Sequence, residues 1–263
     1  MDYRGLSRKD FRLEMLLGLG RFAQVYLARA PDGREVALKI PRTEVRRDPQ
    51  LAQRFAQEVS LGLSISHPFL VSSLAGCPTG EGAYLALEFF PEGTLEERLA
   101  TERLDRDEVL RLLHQIGSAL IDLHRRGIVH QDVKPSNIFL RRGDFVLGDL
   151  GVAKVQGQSS IERAGSPFYM APEVFAGQPT SPASDAYSLG ILAFELLSGK
   201  RPFQGERLED LAHAHLHLPL PPTPLPYGLD RPIRKLLIKN PSQRASLEDV
   251  LRELPPLPKP VDS

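Results

Sequence analysis

The sequence predicts an α+β protein with a β-rich first region and a larger, mostly helical second region. Residues 11–40 alternate apolar and polar side chains and are rich in β-branched and aromatic residues, which is typical of strands. Beyond residue 93, apolar residues recur with helical spacing instead. We therefore expect a β-rich lobe over 1–90, a helical lobe over 91–254 and a proline-rich tail over 255–263.

The β-rich region is predicted to contain a hairpin, one amphipathic helix and two further strands. The runs QVYLA and EVALKI flank the turn sequence PDG at 31–33. Over 48–66 a large apolar residue recurs every four positions, which places these residues on one helix face: Leu51, Phe55, Val59 and Leu63. The segments FLVSSLAG and YLALEFF then return to strand composition, and the turn sequence PEG at 91–93 ends the region.

Three segments of the second region are the clearest helices. They are EVLRLLHQIGSALIDLHRRG, YSLGILAFELLS and IRKLLIKN. Apolar residues recur in them at intervals of three and four, as expected for helices packed on a core. The sequence shows no internal repeat, so the chain is not predicted to be a repeat array.

The composition is that of a folded protein without an excess of either charge. Of 263 residues, 41% are hydrophobic and 25% charged, and 33 Lys and Arg balance 33 Asp and Glu. This balance argues against nucleic acid or an anionic membrane surface as a partner. The one cysteine excludes an intrachain disulfide, and the most apolar helix is short and interrupted by Glu195. We expect a cytoplasmic protein without a membrane-spanning segment, of undetermined oligomeric state.

The segment IVHQDVKPSNIFL, residues 128–140, concentrates reactive side chains between two apolar runs. His130, Asp132 and Asn137 are possible metal ligands. Lys134 among them repels a divalent cation unless an anion such as phosphate accompanies the metal. This combination favours a phosphoryl-transfer site.

Two features of the β-rich region fit the same chemistry. The stretch GLGRFAQV, residues 18–25, places glycines in the first hairpin, where backbone N–H groups can approach a phosphate. A tight hairpin without a ligand is the plainer interpretation of this stretch alone. Lys39 lies in a strand where an inward lysine needs an anionic partner, and Glu58 on the following helix is a candidate. The two features are informative only in combination.

In their order, these motifs resemble those of the protein kinases over almost the whole chain, from about Phe11 to Leu251. GLGRFAQV resembles the glycine-rich loop with Ala23 in place of the third glycine, and VALK at 36–39 resembles the strand motif with the phosphate-binding lysine. HQDVKPSN resembles the catalytic loop, DLG at 149–151 the metal-binding DFG motif, and APE at 171–173 the end of the activation segment. The resemblance implies a two-lobe protein-kinase-like fold, with a small antiparallel sheet and one main helix in the first lobe.

The resemblance assigns catalytic and metal-binding roles to residues of the second region. It implies that Asp132 accepts or orients the substrate hydroxyl, that Lys134 stabilises the moving phosphate, and that Asn137 and Asp149 hold Mg²⁺. Ser166, in GSPFYMAPE, is expected to contact Asp132 and Lys134 through its hydroxyl. This segment and DVKPSN resemble kinases that transfer the γ-phosphoryl group of ATP to Ser and Thr hydroxyls of protein substrates, rather than tyrosine kinases.

For ATP itself, the resemblance implies a binding site built from both regions. Val25 and Ala37 are expected above the adenine ring and Leu140 below it. Backbone groups of Glu88 and Phe90 are expected beside it. The full implied set is Leu17, Gly18, Gly20, Val25, Ala37, Lys39, Glu58, Glu88, Phe90 and Leu140.

Two departures from the family pattern leave an alternative open. Bulky apolar residues are expected four positions after Glu58 and six after His67, but this chain has Gly62 and Ser73 there. Either neighbouring leucines fill the space or the helix that carries Glu58 is loosely held, in which case Gly62→Leu would fill a void. A nucleotide-binding pseudokinase or scaffold is therefore the alternative function. A small-molecule kinase is a weaker one, because such enzymes generally lack the APE motif.

Gln131 is a third departure, because most members of this family carry arginine at that position. A phosphorylated activation segment docks against that arginine through charge-assisted hydrogen bonds, which a neutral amide cannot replace. We therefore expect a kinase that is not switched by phosphorylation of the segment. Ser159 and Ser160 are its exposed candidates for modification, and Arg163 or Lys154 could substitute for the missing charge.

Overall fold

A five-stranded antiparallel sheet and two helices form the first of two units, Met1–Pro91. The structure is a computed structural model that describes residues 3, 5–155, 166–222 and 225–257. The elements of this unit are β1 Arg12–Leu19, β2 Ala23–Arg29, β3 Glu35–Pro41, α1 Thr43–Arg47, α2 Pro49–Ser64, β4 Ser73–Cys77 and β5 Tyr84–Glu88. The sheet order is β1-β2-β3-β5-β4.

The two faces of this sheet carry different residues, because successive side chains of a strand point to opposite faces. On β3, Val36, Leu38 and Ile40 are buried in the main core of the unit, with Tyr84 and Ala86 of β5. The alternate residues Ala37 and Lys39 lie on the other face. There β5 contributes Leu85 and Leu87, which pack with Phe55 and Val59 of α2.

The second unit, Glu92–Ser263, is mostly helical. Its helices are α3 Leu95–Leu99, α4 Arg106–Arg125, α5 Pro172–Phe175, α6 Pro182–Ser198, α7 Leu208–His217, α8 Asp230–Leu236 and α9 Leu247–Glu253. In the described part of this unit the strands form two pairs, β6 Ile128–Val129 with β9 Lys154–Val155, and β7 Ile138–Arg141 with β8 Asp144–Leu147. The prediction of an α+β fold, with an N-terminal antiparallel sheet and a larger helical part, is confirmed.

Local sequence explains where the two central helices of this unit begin and end. At α4, Asp105 accepts from the Glu108 N–H at 2.8 Å, and Glu108 accepts from the Asp105 N–H at 3.0 Å, which is a capping box. Helix α6 begins at Pro182 and ends before Gly199, whose φ of 75° is the left-handed conformation that favours glycine. These two helices pack together and form the centre of the helical unit. Within the described residues, no helix is long and apolar enough to cross a membrane.

His215 of α7 is fully buried against three aromatic rings. Its ring centroid lies 4.9 Å from that of Phe203, 5.4 Å from that of Phe175 and 5.8 Å from that of Tyr187, and its Nδ1 lies 3.0 Å from the Tyr187 hydroxyl. Burial, and next the positive charge of Lys239, lower the pKa of His215 to about 3. The imidazole therefore stays neutral in the folded protein at neutral pH.

This neutral histidine should contribute to acid denaturation. Between pH 6.5 and about 3 the unfolded chain binds a proton at His215 that the folded chain does not, so folding stability falls as the pH falls through this window. The largest slope from one such group is about 1.4 kcal/mol per pH unit. His215→Phe should lower the slope of the unfolding free energy against pH in this window. The decrease should be at most the contribution of one proton, about 1.4 kcal/mol per pH unit. Denaturant melts across this range test it, and equal slopes in both proteins would contradict it.

Candidate active site

The carboxylate of Asp132 is the centre of the polar cluster in the second unit. Asp132 follows β6 and is buried. Its Oδ2 lies 2.7 Å from Nζ of Lys134 and accepts from Nδ2 of Asn137 at 2.9 Å. Its Oδ1 accepts from the backbone N–H of Ser166 at 3.0 Å. The structure thus brings together all three predicted catalytic residues and Asn137.

The contact of Ser166 differs from the expected one. We expected the hydroxyl of Ser166 to contact Asp132 and Lys134, but the backbone N–H makes the hydrogen bond to Asp132. Any residue except proline provides this N–H, so the contact does not require serine. The hydroxyl of Ser166 makes no hydrogen bond to the described residues.

The β7–β8 hairpin positions the two predicted metal ligands. Its register pairs Ile138 with Leu147, and the Asn137 carbonyl oxygen accepts from the Gly148 N–H at 2.9 Å. Asn137 and Asp149 therefore flank the open end of the hairpin, one before β7 and one after β8. Asp149 has a φ of 61° and accepts from the Gly151 N–H at 3.2 Å.

These two side chains fit a Mg²⁺ ion by their chemistry. The Asn137 amide donates to both the backbone oxygen and Oδ2 of Asp132, at 2.8 and 2.9 Å. Both of its N–H donors are then used, and its carbonyl oxygen is the group that it can offer to a cation. An amide oxygen with the carboxylate of Asp149 is the hard oxygen donor set that Mg²⁺ prefers.

A buried aspartate that the sequence did not identify as a structural centre fixes the catalytic loop. The carboxylate of Asp185, on α6, accepts from the backbone N–H groups of His130 and Gln131, each at 2.8 Å, and lies 2.8 Å from Nε2 of His124. Gln131 needs this support because its φ is 74°, which is uncommon for a residue other than glycine. His130 also lies 2.9 Å from the carbonyl oxygen of Gly148, which ties the loop to the end of β8.

A buried ion pair fixes the end of the segment that carries Ser166. Both oxygens of Glu173, in the APE sequence, accept from the guanidinium of Arg244, at 2.7 and 2.9 Å. The side chain of Arg244 is completely buried, and it also donates to the carbonyl oxygens of Ala183, Ile238 and Lys239. Glu173 and Arg244 thus form a buried, bidentate ion pair.

In the first unit the predicted lysine and glutamate lie in contact. Nζ of Lys39, on β3, lies 2.5 Å from Oε1 of Glu58, on α2, and both side chains are largely buried. Val25 pairs with Lys39 and Leu27 pairs with Ala37 in the register of β2 and β3. Val25, Ala37 and Lys39 therefore share one face of the sheet.

The glycine-rich loop joins the ends of β1 and β2. The Gly20 N–H donates to the Ala23 carbonyl oxygen at 2.9 Å, so the turn closes on itself. A Cβ atom at Gly20 would lie 3.1 Å from that oxygen, whereas a Cβ atom at Gly18 would meet nothing within 4 Å. A side chain at Gly20 would therefore be tightly placed, whereas the packing leaves room for one at Gly18. Leu17 precedes this turn on β1 and is exposed.

The remaining ATP-binding candidates lie at the end of β5, just after it, and within β7. Glu88 ends β5, and its backbone N–H donates to the Ser72 carbonyl oxygen at 2.9 Å. Phe90 follows it and is buried. Leu140 belongs to the second unit, where it is buried in β7 and its N–H donates to the Gly93 carbonyl oxygen at 3.0 Å.

Gly62 and Ser73 do not enclose a void. A Cβ atom at Gly62 would lie 2.4 Å from Oγ and 3.3 Å from Cβ of Ser73, so α2 and β4 approach each other closely at this point. The expectation that Gly62→Leu would fill a void is therefore wrong. The two small residues permit the close approach of helix and strand, and the pair of Lys39 and Glu58 forms on this closely packed helix.

We accordingly predict that Gly62→Leu lowers the melting temperature although it removes a glycine from a helix. Overpacking a well-filled site costs about 1–3 kcal/mol, more than the roughly 1 kcal/mol of helix propensity that is gained. Gly62→Ala should lower it less, and Gly62→Ala with Ser73→Gly should recover part of the loss, because Ser73 is the contacting residue. Thermal melts of the four proteins test this, and a higher melting temperature for Gly62→Leu alone would contradict it.

Comparison with known proteins agrees with this arrangement. The family model of the protein kinase domain matches residues 11–254. The serine/threonine-protein kinase PknA of Mycobacterium tuberculosis is 37% identical over 250 residues, which cover 89% of this chain and 58% of PknA. PrkC of Bacillus subtilis, also a serine/threonine-protein kinase, is 33% identical over 246 residues, which cover 89% of this chain and 38% of PrkC.

A probable serine/threonine-protein kinase of Streptomyces coelicolor is 33% identical over 263 residues, which cover 92% of this chain and 39% of that protein. The chain thus spans little more than half the length of PknA, and less of the other two. The match nevertheless covers all the motifs from the glycine-rich loop to Arg244. The chain belongs to the protein kinase family, and to the bacterial Ser/Thr branch within it.

Proposed function

We propose that this chain is an ATP- and Mg²⁺-dependent protein kinase that transfers the γ-phosphoryl group to Ser and Thr hydroxyls of protein substrates. The observation that carries the proposal is the Asp132 carboxylate, which is bound by Lys134, Asn137 and the Ser166 N–H. These contacts fix the orientation of the carboxylate. A cytoplasmic location fits this activity, because ATP is available there.

In this mechanism each of the site residues has a separate role. Asp132 orients the substrate hydroxyl and accepts its proton, while the Lys134 ammonium beside it stabilises negative charge on the transferred group. Lys39, which Glu58 orients, binds the α- and β-phosphates of ATP. Asn137 and Asp149 would hold Mg²⁺, which would supply positive charge near the phosphate oxygens. Val25, Ala37 and Leu140 provide apolar contacts for adenine.

The contact between Lys39 and Glu58 favours this activity over the pseudokinase alternative. An inactive scaffold has no need of a buried lysine and glutamate in contact, because burying both charges is costly. The close packing at Gly62 also removes the reason to regard α2 as loosely held.

A phosphotransfer assay tests the proposal. The purified chain, with ATP and Mg²⁺, should incorporate phosphate into serine or threonine of a general protein acceptor such as casein, and chelation of Mg²⁺ should stop the reaction. Nucleotide binding without transfer would support the pseudokinase instead. Transfer to small molecules but not to protein would support a small-molecule kinase.

We further propose that phosphorylation of the activation segment does not switch this kinase. Gln131 is neutral and buried, and its side-chain Nε2 makes no hydrogen bond to the described residues. Its backbone, rather than its side chain, is what the Asp185 contact uses. Ser159, Ser160 and Arg163, and the side chain of Lys154, lie outside what the structure describes.

The corresponding prediction is that Ser159→Ala with Ser160→Ala changes kcat/KM by less than about threefold, which is under about 1 kcal/mol of transition-state stabilisation. Steady-state kinetics on unphosphorylated and autophosphorylated protein measure this. An inactive double mutant that acidic residues at the same positions rescue would contradict it, and would point to Arg163 or Lys154 as a replacement for the missing arginine.

A further inference from the structure

A cationic pocket lies on the sheet face of the first unit that does not carry Lys39. Its volume is about 410 Å³, within the range of small-ligand sites. The residues that line it come from the start of β1, from β2, from the end of β3 and from α1: Arg8, Lys9, Phe11, Leu13, Gln24, Tyr26, Ile40, Pro41, Arg42, Thr43 and Arg46. Gln24 and Tyr26 alternate with Val25 on β2, and Ile40 follows Lys39 on β3, so the pocket is separate from the face proposed for ATP.

Four of the lining residues are cations, and carboxylates do not neutralise them. Among the described residues, Arg8, Lys9 and Arg42 have no ion-pair partner. Arg46 has one carboxylate near it, that of Glu81 at 3.5 Å, and this side chain is 84% exposed. Because the chain as a whole has equal numbers of acidic and basic residues, the pocket is a local excess of positive charge.

Two of these arginines, the N-cap residue Arg42 and Arg46 of α1, are also incompletely hydrogen-bonded. Nε of Arg42 and Nε of Arg46 are both buried and make no hydrogen bond to the described residues. Arg46 uses its other nitrogens, donating to the carbonyl oxygen of Pro41 and to Oγ1 of Thr43. Leaving a buried guanidinium N–H without an acceptor is costly, so such a group in a native protein calls for a partner.

Most of the remaining pocket wall is apolar, and Gln24 and Thr43 are its polar members. Phe11 and Ile40 are buried, Tyr26 is half-buried against the same core, and Leu13 is 47% exposed at the margin. A ligand here would meet both guanidinium groups and aromatic and aliphatic carbon. Such a wall accepts a ligand with one anionic group and an aromatic or aliphatic body.

We propose that this pocket binds a small phosphate monoester with an apolar body. A phosphate offers several acceptor oxygens to neighbouring arginines, and arginine suits it because the planar guanidinium donates two parallel hydrogen bonds. The apolar body lies against Phe11 and Tyr26. This site is independent of ATP binding, of the metal and of phosphotransfer.

Phenyl phosphate is a suitable probe, and isothermal titration calorimetry measures its binding without any use of kinase activity. We expect phenyl phosphate to bind about tenfold more tightly than inorganic phosphate, because only the former contacts the apolar wall, and benzyl alcohol to show no binding. Arg42→Gln should lower the affinity for phenyl phosphate by at least about tenfold, because a charge-assisted hydrogen bond is lost. Arg42 suits the test because its side chain does not cap α1.

Two control variants make the test specific. Arg47→Gln removes the same charge five residues along the chain, at the last residue of α1, but Arg47 is exposed and does not line the pocket, so binding should persist. Lys39→Met alters the proposed ATP site and should leave phenyl phosphate binding unchanged. The proposal is overturned if phenyl phosphate does not bind, or if Arg47→Gln lowers its affinity as much as Arg42→Gln does. It is also overturned if Lys39→Met abolishes the binding of phenyl phosphate and Arg42→Gln leaves that binding intact.

Discussion

Asp132→Asn should lower kcat by about 10²- to 10⁴-fold while ATP affinity changes little. The substitution keeps the size of the side chain but removes its negative charge and its capacity to accept a proton. It also removes the ion pair with Lys134 at 2.7 Å and places an amide where Asn137 and the Ser166 N–H donate. The loss should therefore appear in the chemical step rather than in nucleotide binding.

Initial rates of phosphotransfer and a direct nucleotide-binding titration separate these two effects. Asp149→Asn should differ from Asp132→Asn by losing Mg²⁺-dependent ATP binding as well, because Asp149 is a proposed metal ligand. Asp122→Asn is a matched control on α4, where Asp122 pairs with Arg126 at the surface. A kcat within a few fold of wild type in either active-site mutant would refute the mechanism.

Of the substitutions proposed, Arg244→Met should cause the largest decrease in the free energy of unfolding. Its guanidinium is completely buried and binds both oxygens of Glu173, so the mutation leaves a buried carboxylate without its counter-ion. Breaking such a pair from one side typically costs about 3–5 kcal/mol. For a domain of this size that corresponds to a fall of roughly 6–20 °C in melting temperature.

Two further variants distinguish charge burial from simple loss of contact. Adding Glu173→Gln to Arg244→Met should recover part of the melting temperature, because the uncompensated charge is then gone. Arg207→Met breaks the exposed pair of Arg207 with Asp210 and should leave the melting temperature nearly unchanged. An Arg244→Met protein that melts within about 2 °C of wild type would show that the pair contributes little.

The sequence was most informative where function depends on side-chain identity at fixed spacing. Asp132, Lys134 and Asn137 lie within six consecutive residues, and a short loop followed by a hairpin necessarily keeps them close. Helix α2 was also predicted within two residues at each end, because the four-residue spacing of its apolar face is a local signal. The structure adds the N-cap Asp48, which accepts from the Gln50 and Leu51 N–H groups.

Features that depend on distant backbone were not predictable in the same way. The Ser166 contact is made by an N–H group that every residue except proline has, so no side-chain pattern reveals it. The close approach at Gly62 depends on how α2 packs on β4, and the sequence shows only that both facing residues are small. The start of α6 was placed five residues late, at Tyr187, because the preceding residues are small and polar although the fold buries most of them.

The hydrogen bonds from the His130 and Gln131 amides to Asp185 also bear on hydrogen exchange. Amides in loops normally exchange quickly with solvent, because their hydrogen bonds open by local fluctuation. These two amides donate instead to a side chain of α6, a helix in the centre of its unit, so they can exchange only when that helix moves away or the loop detaches from it. We therefore expect the His130 and Gln131 amides to exchange more slowly than ordinary loop amides, because loss of their protection requires breaking the contact with a buried side chain of α6.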